Sequence, residues 1–185
     1  MHQYKKKYII FSFIIFAFLK PENALACFSI TDDFNSPDPV LNITFNFEPD
    51  LEPFRECWSG ALRIRSTKRN WRLVATRRGP NPAVNQGDSS DNIKPSDISI
   101  EFEVKGFGEA QADGAILVSP FSSETDLSSI RNGTLIISGV KRSGGSCTIH
   151  NPNFYKLKKK LCLFRDYVFN TGYYNGDISY ILVAP

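Results

Sequence analysis

An antiparallel β-sandwich is the fold this sequence predicts, and three observations predict it. Apolar residues recur at every second position in one short stretch after another, each bounded by Gly, Pro, Asn, Asp or Ser. No segment sustains the spacing of an amphipathic helix, and the strand patterns do not alternate with helical ones. Seven to nine short strands are expected, in an all-β class with antiparallel pairing.

The first segment is of a different kind. Lys5, Lys6 and Lys7 precede twelve largely apolar residues, Tyr8 to Leu19, and Ala24-Leu25-Ala26 follows. A positive start, an apolar middle and a small-x-small end make a secretory signal. Twelve residues fall short of the roughly twenty that a membrane span needs. Residues 1–26 are therefore read as the signal and 27–185 as a single β-sandwich domain, secreted, periplasmic or at the cell surface. Without Lys5, Lys6, Lys7, Lys20 and Glu22, the 22 basic and 19 acidic residues of the chain become 18 of each. A balanced mature chain gives no support to nucleic-acid binding. Cys27 would follow the cut directly, as in lipoproteins, and its diacylation would tether the domain to a membrane. Lipoprotein signals usually place Leu three residues before that cysteine, where this chain has Ala24.

Cys27, Cys57, Cys147 and Cys162 are an even set in an exported chain, which indicates disulfides. Of the three possible pairings, Cys27–Cys57 and Cys147–Cys162 are expected, because each closes a local loop. Zinc is the rival use of these residues. It finds no Cys-x-x-Cys pair and only His150 in the mature chain, so neither metal nor cofactor is expected.

The elements follow in order. A turn-rich entry runs to Pro39, and Leu41, Ile43, Phe45 and Phe47 then alternate with polar residues as a strand. Cys57 to Ser66 alternates again, and Trp71, Leu73 and Ala75 alternate with Arg72 and Thr76. These two are expected to form a hairpin with one apolar and one basic face, with Trp71 in the core. Gly79 to Pro95 is the longest break, a loop of the length that is usually functional or disordered. Ile98, Ile100, Phe102 and Val104 form the least ambiguous strand. Shorter strands are expected at Ala115 to Val118, Gly133 to Ser138 and Cys147 to Ile149, with a helical turn at Leu127 to Ile130. Lys156 to Lys160 is read as a loop tip, and Leu161 to Phe169 as a strand. The last stretch, Gly172 to Pro185, ends on apolar residues and is expected to be buried in a sheet. Trp71, the aromatic strands and this paired last strand together favour an Ig-like sandwich.

Gly172-x-Tyr174-x-Gly176-x-Ile178-x-Tyr180-x-Leu182 resembles the terminal strand of secreted bacterial pilin-like and spore-coat-U-like domains. Gly172 is fourteenth from the end, as in many chaperone–usher pilins, and Cys27 and Cys57 stand where such subunits commonly carry a disulfide. The stretch from Ser66 to Leu73 is similar to hairpins of exported surface domains. The resemblance covers about half the mature chain and implies an Ig-like fold with a non-enzymatic role in assembly or adhesion. A protein partner that joins by strand addition is part of that implication. Two positions depart from the pilin pattern. No donor arm precedes Cys27, and Ala184 replaces the usual aromatic residue, so the resemblance implies a self-completed sandwich rather than a fibre subunit.

Candidate sites are few. A Cys or Ser nucleophile would need His150, and Cys147 is expected to be oxidised. Glu101 and Glu103 are paired carboxylates of the kind that flank a glycosidic bond, and also what a solvated strand face carries. Asp88, Asp91 and Asn92 could hold calcium but lack the regular ligand spacing. Asn42 and Asn132 match the glycosylation pattern. The sharpest charge feature is Arg63, Arg65, Lys68, Arg69, Arg72, Arg77 and Arg78, with no acid between them. Its plain reading is cross-strand pairing with Glu101 and Glu103. Its functional reading takes Arg63, Arg65 and Arg72 as contacts for anionic glycans or envelope polymers. The expected function is an exported, non-enzymatic surface or extracellular protein acting by binding or assembly. The alternative is an exported hydrolase of carbohydrate or envelope polymer on a jelly-roll-like sandwich.

Overall fold

The least ambiguous alternation in the sequence, Ile98 to Val104, forms a long strand beside the central strand of one sheet. The computed structural model describes residues 28–32, 41–47, 55–78, 83–85, 92–164 and 172–184. Residues 1–27, with the segment read as a secretory signal and Cys27, lie outside these. Twelve strands lie among the described residues: β1 Phe28–Asp32, β2 Leu41–Phe47, β3 Arg55–Ser66, β4 Trp71–Arg77, β5 Ala83–Asn85, β6 Asn92–Ile93, β7 Ile98–Phe107, β8 Ala115–Leu117, β9 Thr125–Asp126, β10 Thr134–Gly139, β11 Phe154–Phe164 and β12 Gly172–Val183. Eight of them have five residues or more, within the expected seven to nine. The helical turn expected near Leu127 is a single 3-10 turn, Leu127–Ser129, capped by the Asp126 carboxylate.

All pairings are antiparallel and fall into two sheets. The first has the order β1-β3-β11-β7-β9; the second runs β6-β5-β12-β4-β10-β8, with β2 also on β12. This is the two-sheet β-sandwich that the alternation predicts. The inner face of the first sheet carries Leu62 and Ile64 of β3, Ile98, Ile100 and Phe102 of β7, and Tyr155, Leu157, Leu161 and Leu163 of β11. Trp71, Leu73 and Ala75 of β4 and Ile178 and Tyr180 of β12 face them from the second. The sheets meet at Trp71 and Tyr155, whose rings lie 5.5 Å apart at 41°.

Trp71 is fully buried, and its indole N–H donates to the Lys141 carbonyl at 2.8 Å. Its ring lies flat on the backbone of Gly139, where an added Cβ would fall 1.9 Å from the indole. Gly139→Ala is therefore expected to displace the largest core side chain and to destabilise the fold by about 1–3 kcal/mol or more. Equilibrium urea unfolding of the variant measures this.

One inner position of β11 breaks the apolar row. Lys159 pairs with Gly60 and Phe102 across the sheet and is 4% exposed. Its ammonium sits 4.9 Å from the centre of the Tyr180 ring. Burial, opposed in part by Asp32, lowers its pKa to about 8.

Several expectations are corrected. Residues 55–66 and 71–77 are strands, but not a hairpin: β3 pairs with β1 and β11, whereas β4 pairs with β10 and β12. The Thr67–Asn70 connection passes from one sheet to the other, with Asn70 at φ 58°. Alternation fixes which face of a strand is buried but not which sheet the strand joins. Lys156 to Lys160 is not a loop tip; it is the middle of β11, the central strand of the first sheet. Cys147 to Ile149 is not a strand, and lies in the loop before β11. The expected disulfides are also overturned. Cys57 is bonded to Cys162, directly opposite it across β3 and β11. Cys147 is disulfide-bonded as well and so is not paired with Cys162. Sheet register decides which cysteines meet, and it outweighs the shortness of the loop. Short strands β5 and β6 interrupt the long break after Gly79, and Asp88 and Asp91 lie outside the described residues.

Candidate functional site: the outer face of the first sheet

On β3, β11 and β7 the inner residues are apolar apart from Lys159, and the alternate residues form an outer face in regular rows. One row is Arg63, Lys156 and Lys105; the next is Ala61, Lys158 and Glu103; then come Ser59, Lys160 and Glu101, and finally Cys57, Cys162 and Ser99. With Arg55 and Arg65 at either end of β3, this face of the three strands carries seven cations and two carboxylates.

Glu103 lies between two lysines. Lys158 is 3.2 Å away and Lys105 is 2.5 Å away. Hydrogen bonds from Lys105 and then Lys158 hold the Glu103 carboxyl below its ordinary range. Lys160 is 3.9 Å from Glu101, and Arg55 pairs with Glu124. All are well exposed, so each pair contributes little to stability and chiefly sets the local field. Glu101 and Glu103 are two apart on one strand, on an open face, each beside a lysine. They do not oppose one another across a cleft.

One end of the face is aromatic. Phe154 and Phe107 are opposite across β11 and β7, and their rings stack at 5.0 Å and 13°. Phe107 is 41% exposed. The Arg63 and Arg65 guanidiniums lie 5.0 and 5.3 Å from the Phe154 ring centre. A ring flanked by cations on a flat sheet suits a partner with an apolar ring face and acidic groups.

The three arginines singled out in the sequence do not converge. Arg63 lies within this face. Arg65 shares its side of β3 but is fully buried: its guanidinium donates to the Ile149 carbonyl at 3.0 Å, the Asn151 carbonyl at 3.4 Å and the Thr31 hydroxyl at 3.4 Å. It fastens the loop before β11 to the edge of the sheet. Burial, with Arg63 adding to it, lowers its pKa. Arg72 is exposed on the outer side of the second sheet, between Val183 and Ser138, on the opposite surface of the sandwich. Lys105 and Phe107, which the sequence did not single out, and Lys156, expected in a loop tip, join Arg63 instead. Their signal was present in the continued alternation of Lys156, Lys158 and Lys160 with Leu157 and Leu161.

His150 is exposed in a turn, and Cys147 near it carries no free thiol. Among the described residues, no three His, Cys, Asp or Glu side chains are grouped as metal ligands require. No helix among the described residues is long and apolar enough to cross a membrane.

Fold and site together define a disulfide-bonded antiparallel β-sandwich with a cationic outer face that ends in stacked aromatic rings. No protein-family model, no curated protein and no solved structure matches the chain.

Proposed function

We propose that the protein is an exported, non-enzymatic binding module that docks an acidic glycan or envelope polymer on the outer face of its first sheet. The observation that carries this reading is the row Arg63, Lys156 and Lys105 lying beside the stacked pair Phe154 and Phe107. Rows of cations spaced along strands follow the repeating charge of an acidic polymer, while a ring face stacks on a sugar. The signal segment and the Cys57–Cys162 bond are both in keeping with an oxidising compartment outside the cytoplasm.

The triple variant Arg63→Ser, Lys105→Ser, Lys156→Ser tests the reading. Retention on immobilised acidic polysaccharide is expected to fall about tenfold or more and to weaken steeply with salt in the parent, with dextran retaining neither protein. Circular dichroism checks that the variant is folded. Equal retention of parent and variant on the acidic matrix would remove the outer face as the binding surface.

A further inference from the structure

A second site lies at the end of the sandwich where β7 finishes and β11 begins. A pocket of about 230 Å³ is lined there by Arg69, Glu109, Gln111, Lys141, Arg142 and Gly144. It is smaller than the roughly 300 Å³ at which pockets for drug-sized ligands begin, and has room for one sugar ring rather than an oligomer.

Its walls are held by the core. The Lys141 carbonyl accepts from the Trp71 indole, and the Arg142 carbonyl accepts from the Tyr155 hydroxyl at 3.2 Å. Both donors come from the most buried rings of the sandwich. Next along the chain, the Ser143 N–H donates to the Ser66 carbonyl at 2.8 Å, and the Ser66 N–H donates to the Ser143 hydroxyl at 3.0 Å. On the other wall, the Glu109 N–H donates to the Asn153 side chain at 3.0 Å. Gly144 has φ +91°, and a Cβ there would meet the Glu109 carboxylate at 2.7 Å, so glycine lets the carboxylate lie against the chain.

The lining groups differ in how far they are already occupied. The Lys141 ammonium is held by both Asp113 carboxylate oxygens, at 2.9 and 2.8 Å, and by the Gln111 carbonyl oxygen at 2.5 Å. That bond uses the acceptor of Gln111 and leaves its amide N–H groups as donors. Among the described residues, the Arg69 and Arg142 guanidiniums make no hydrogen bond or ion pair, and Glu109 has no cationic partner within salt-bridge distance. With Lys141 neutralised by Asp113, Arg69, Arg142 and Glu109 leave an excess of one positive charge. A single carboxylate balances it and matches the guanidinium fork, Glu109 can accept from hydroxyls, and a phosphate dianion would meet repulsion from Glu109.

We propose that this pocket binds one carboxylate-bearing sugar unit, a uronic acid, either free or at the end of a chain. This rests on the acidic-glycan reading above and assigns it a separate, end-on site.

The test is an amide NMR titration of the oxidised mature protein with sodium glucuronate, glucose and inorganic phosphate. Glucuronate is expected to shift the amides of Glu109, Gln111, Arg142 and Gly144. Glucose should not do so at the same concentration, and phosphate should do so far less. Arg69→Gln with Arg142→Gln should weaken glucuronate about tenfold or more, whereas the Ser triple variant of the outer face should leave it unchanged. The pocket assignment is overturned if glucuronate shifts none of these amides, if phosphate shifts them as strongly, or if the Gln variant binds as the parent does. Failure here with acidic polymer still retained through Arg63, Lys105 and Lys156 would leave the outer-face reading standing. Glucuronate binding without such retention would do the reverse.

Discussion

Replacing Lys159 by methionine is expected to raise stability at pH 7 by about 1–3 kcal/mol and to flatten its dependence on pH between about 8 and 10. The folded protein releases this proton near pH 8, whereas an exposed lysine holds it to about 10.5. Between these values the unfolded chain binds more protons than the folded one, so stability rises with pH through that window. At pH 7 both states are protonated and the full penalty of a buried ammonium is present. The Tyr180 ring offsets part of it, by roughly 0.5–2 kcal/mol. Above pH 10 the tyrosines reverse the trend: burial raises the pKa of Tyr180 and of Tyr155, so the unfolded chain ionises first and stability falls. Urea unfolding of parent and Lys159→Met at pH 7, 8, 9 and 10 gives both quantities. A variant less stable than the parent at pH 7, with a parent curve flat from 8 to 10, would mean that the ammonium is well accommodated inside the sandwich. Methionine keeps most of the stem length, so the comparison isolates the charge.

Changing Cys57 and Cys162 together to alanine is expected to destabilise the oxidised protein by about 4–5 kcal/mol. The bond closes a loop with a sequence separation of 105 residues, near the upper end of what chain entropy can supply. Against a typical domain stability of about 5–15 kcal/mol, the loss would lower the melting temperature by roughly 10–20 °C. The double variant leaves no new unpaired thiol, and Cys147 keeps its own bond. A melting temperature within a few degrees of the parent would show that β3 and β11 hold their register without the cross-link.

The sequence and the fold agree most closely where burial is one-sided. β4 and β7 show alternation over most of their length, with Trp71, Leu73 and Ala75 or Ile98, Ile100 and Phe102 buried, and a one-residue slip in either would turn that apolar face to water. Only the end of β11, from Leu161 on, is legible in the sequence, because Lys159 occupies an inner position. Five residues containing four lysines have no visible apolar row, although Leu157, Leu161 and Leu163 continue it on both sides. The partners of β3 and β4 were hidden for another reason. Both strands have one buried face, and nothing local tells which sheet a face belongs to. The cysteine pairing followed that error, since a bond across β3 and β11 can be foreseen only when their pairing is known. For the site, Arg63 was legible as an outward cation. Lys156 and Lys105 beside it depend on registers between strands about ninety and about fifty residues apart in sequence. Arg65 has the same outward position as Arg63, but the loop at residues 149–151 covers it, and no pattern along β3 announces that cover.

The pairing of β3 with β11 also sets an order of events. Synthesis delivers Cys57 well before Cys162, and at about 5–20 residues per second the gap lasts roughly 5–20 seconds. During that interval β3 has β1 on one edge and an open ladder on the other. The first sheet can therefore close only once β11, residues 154–164, is available to fill the ladder between β3 and β7.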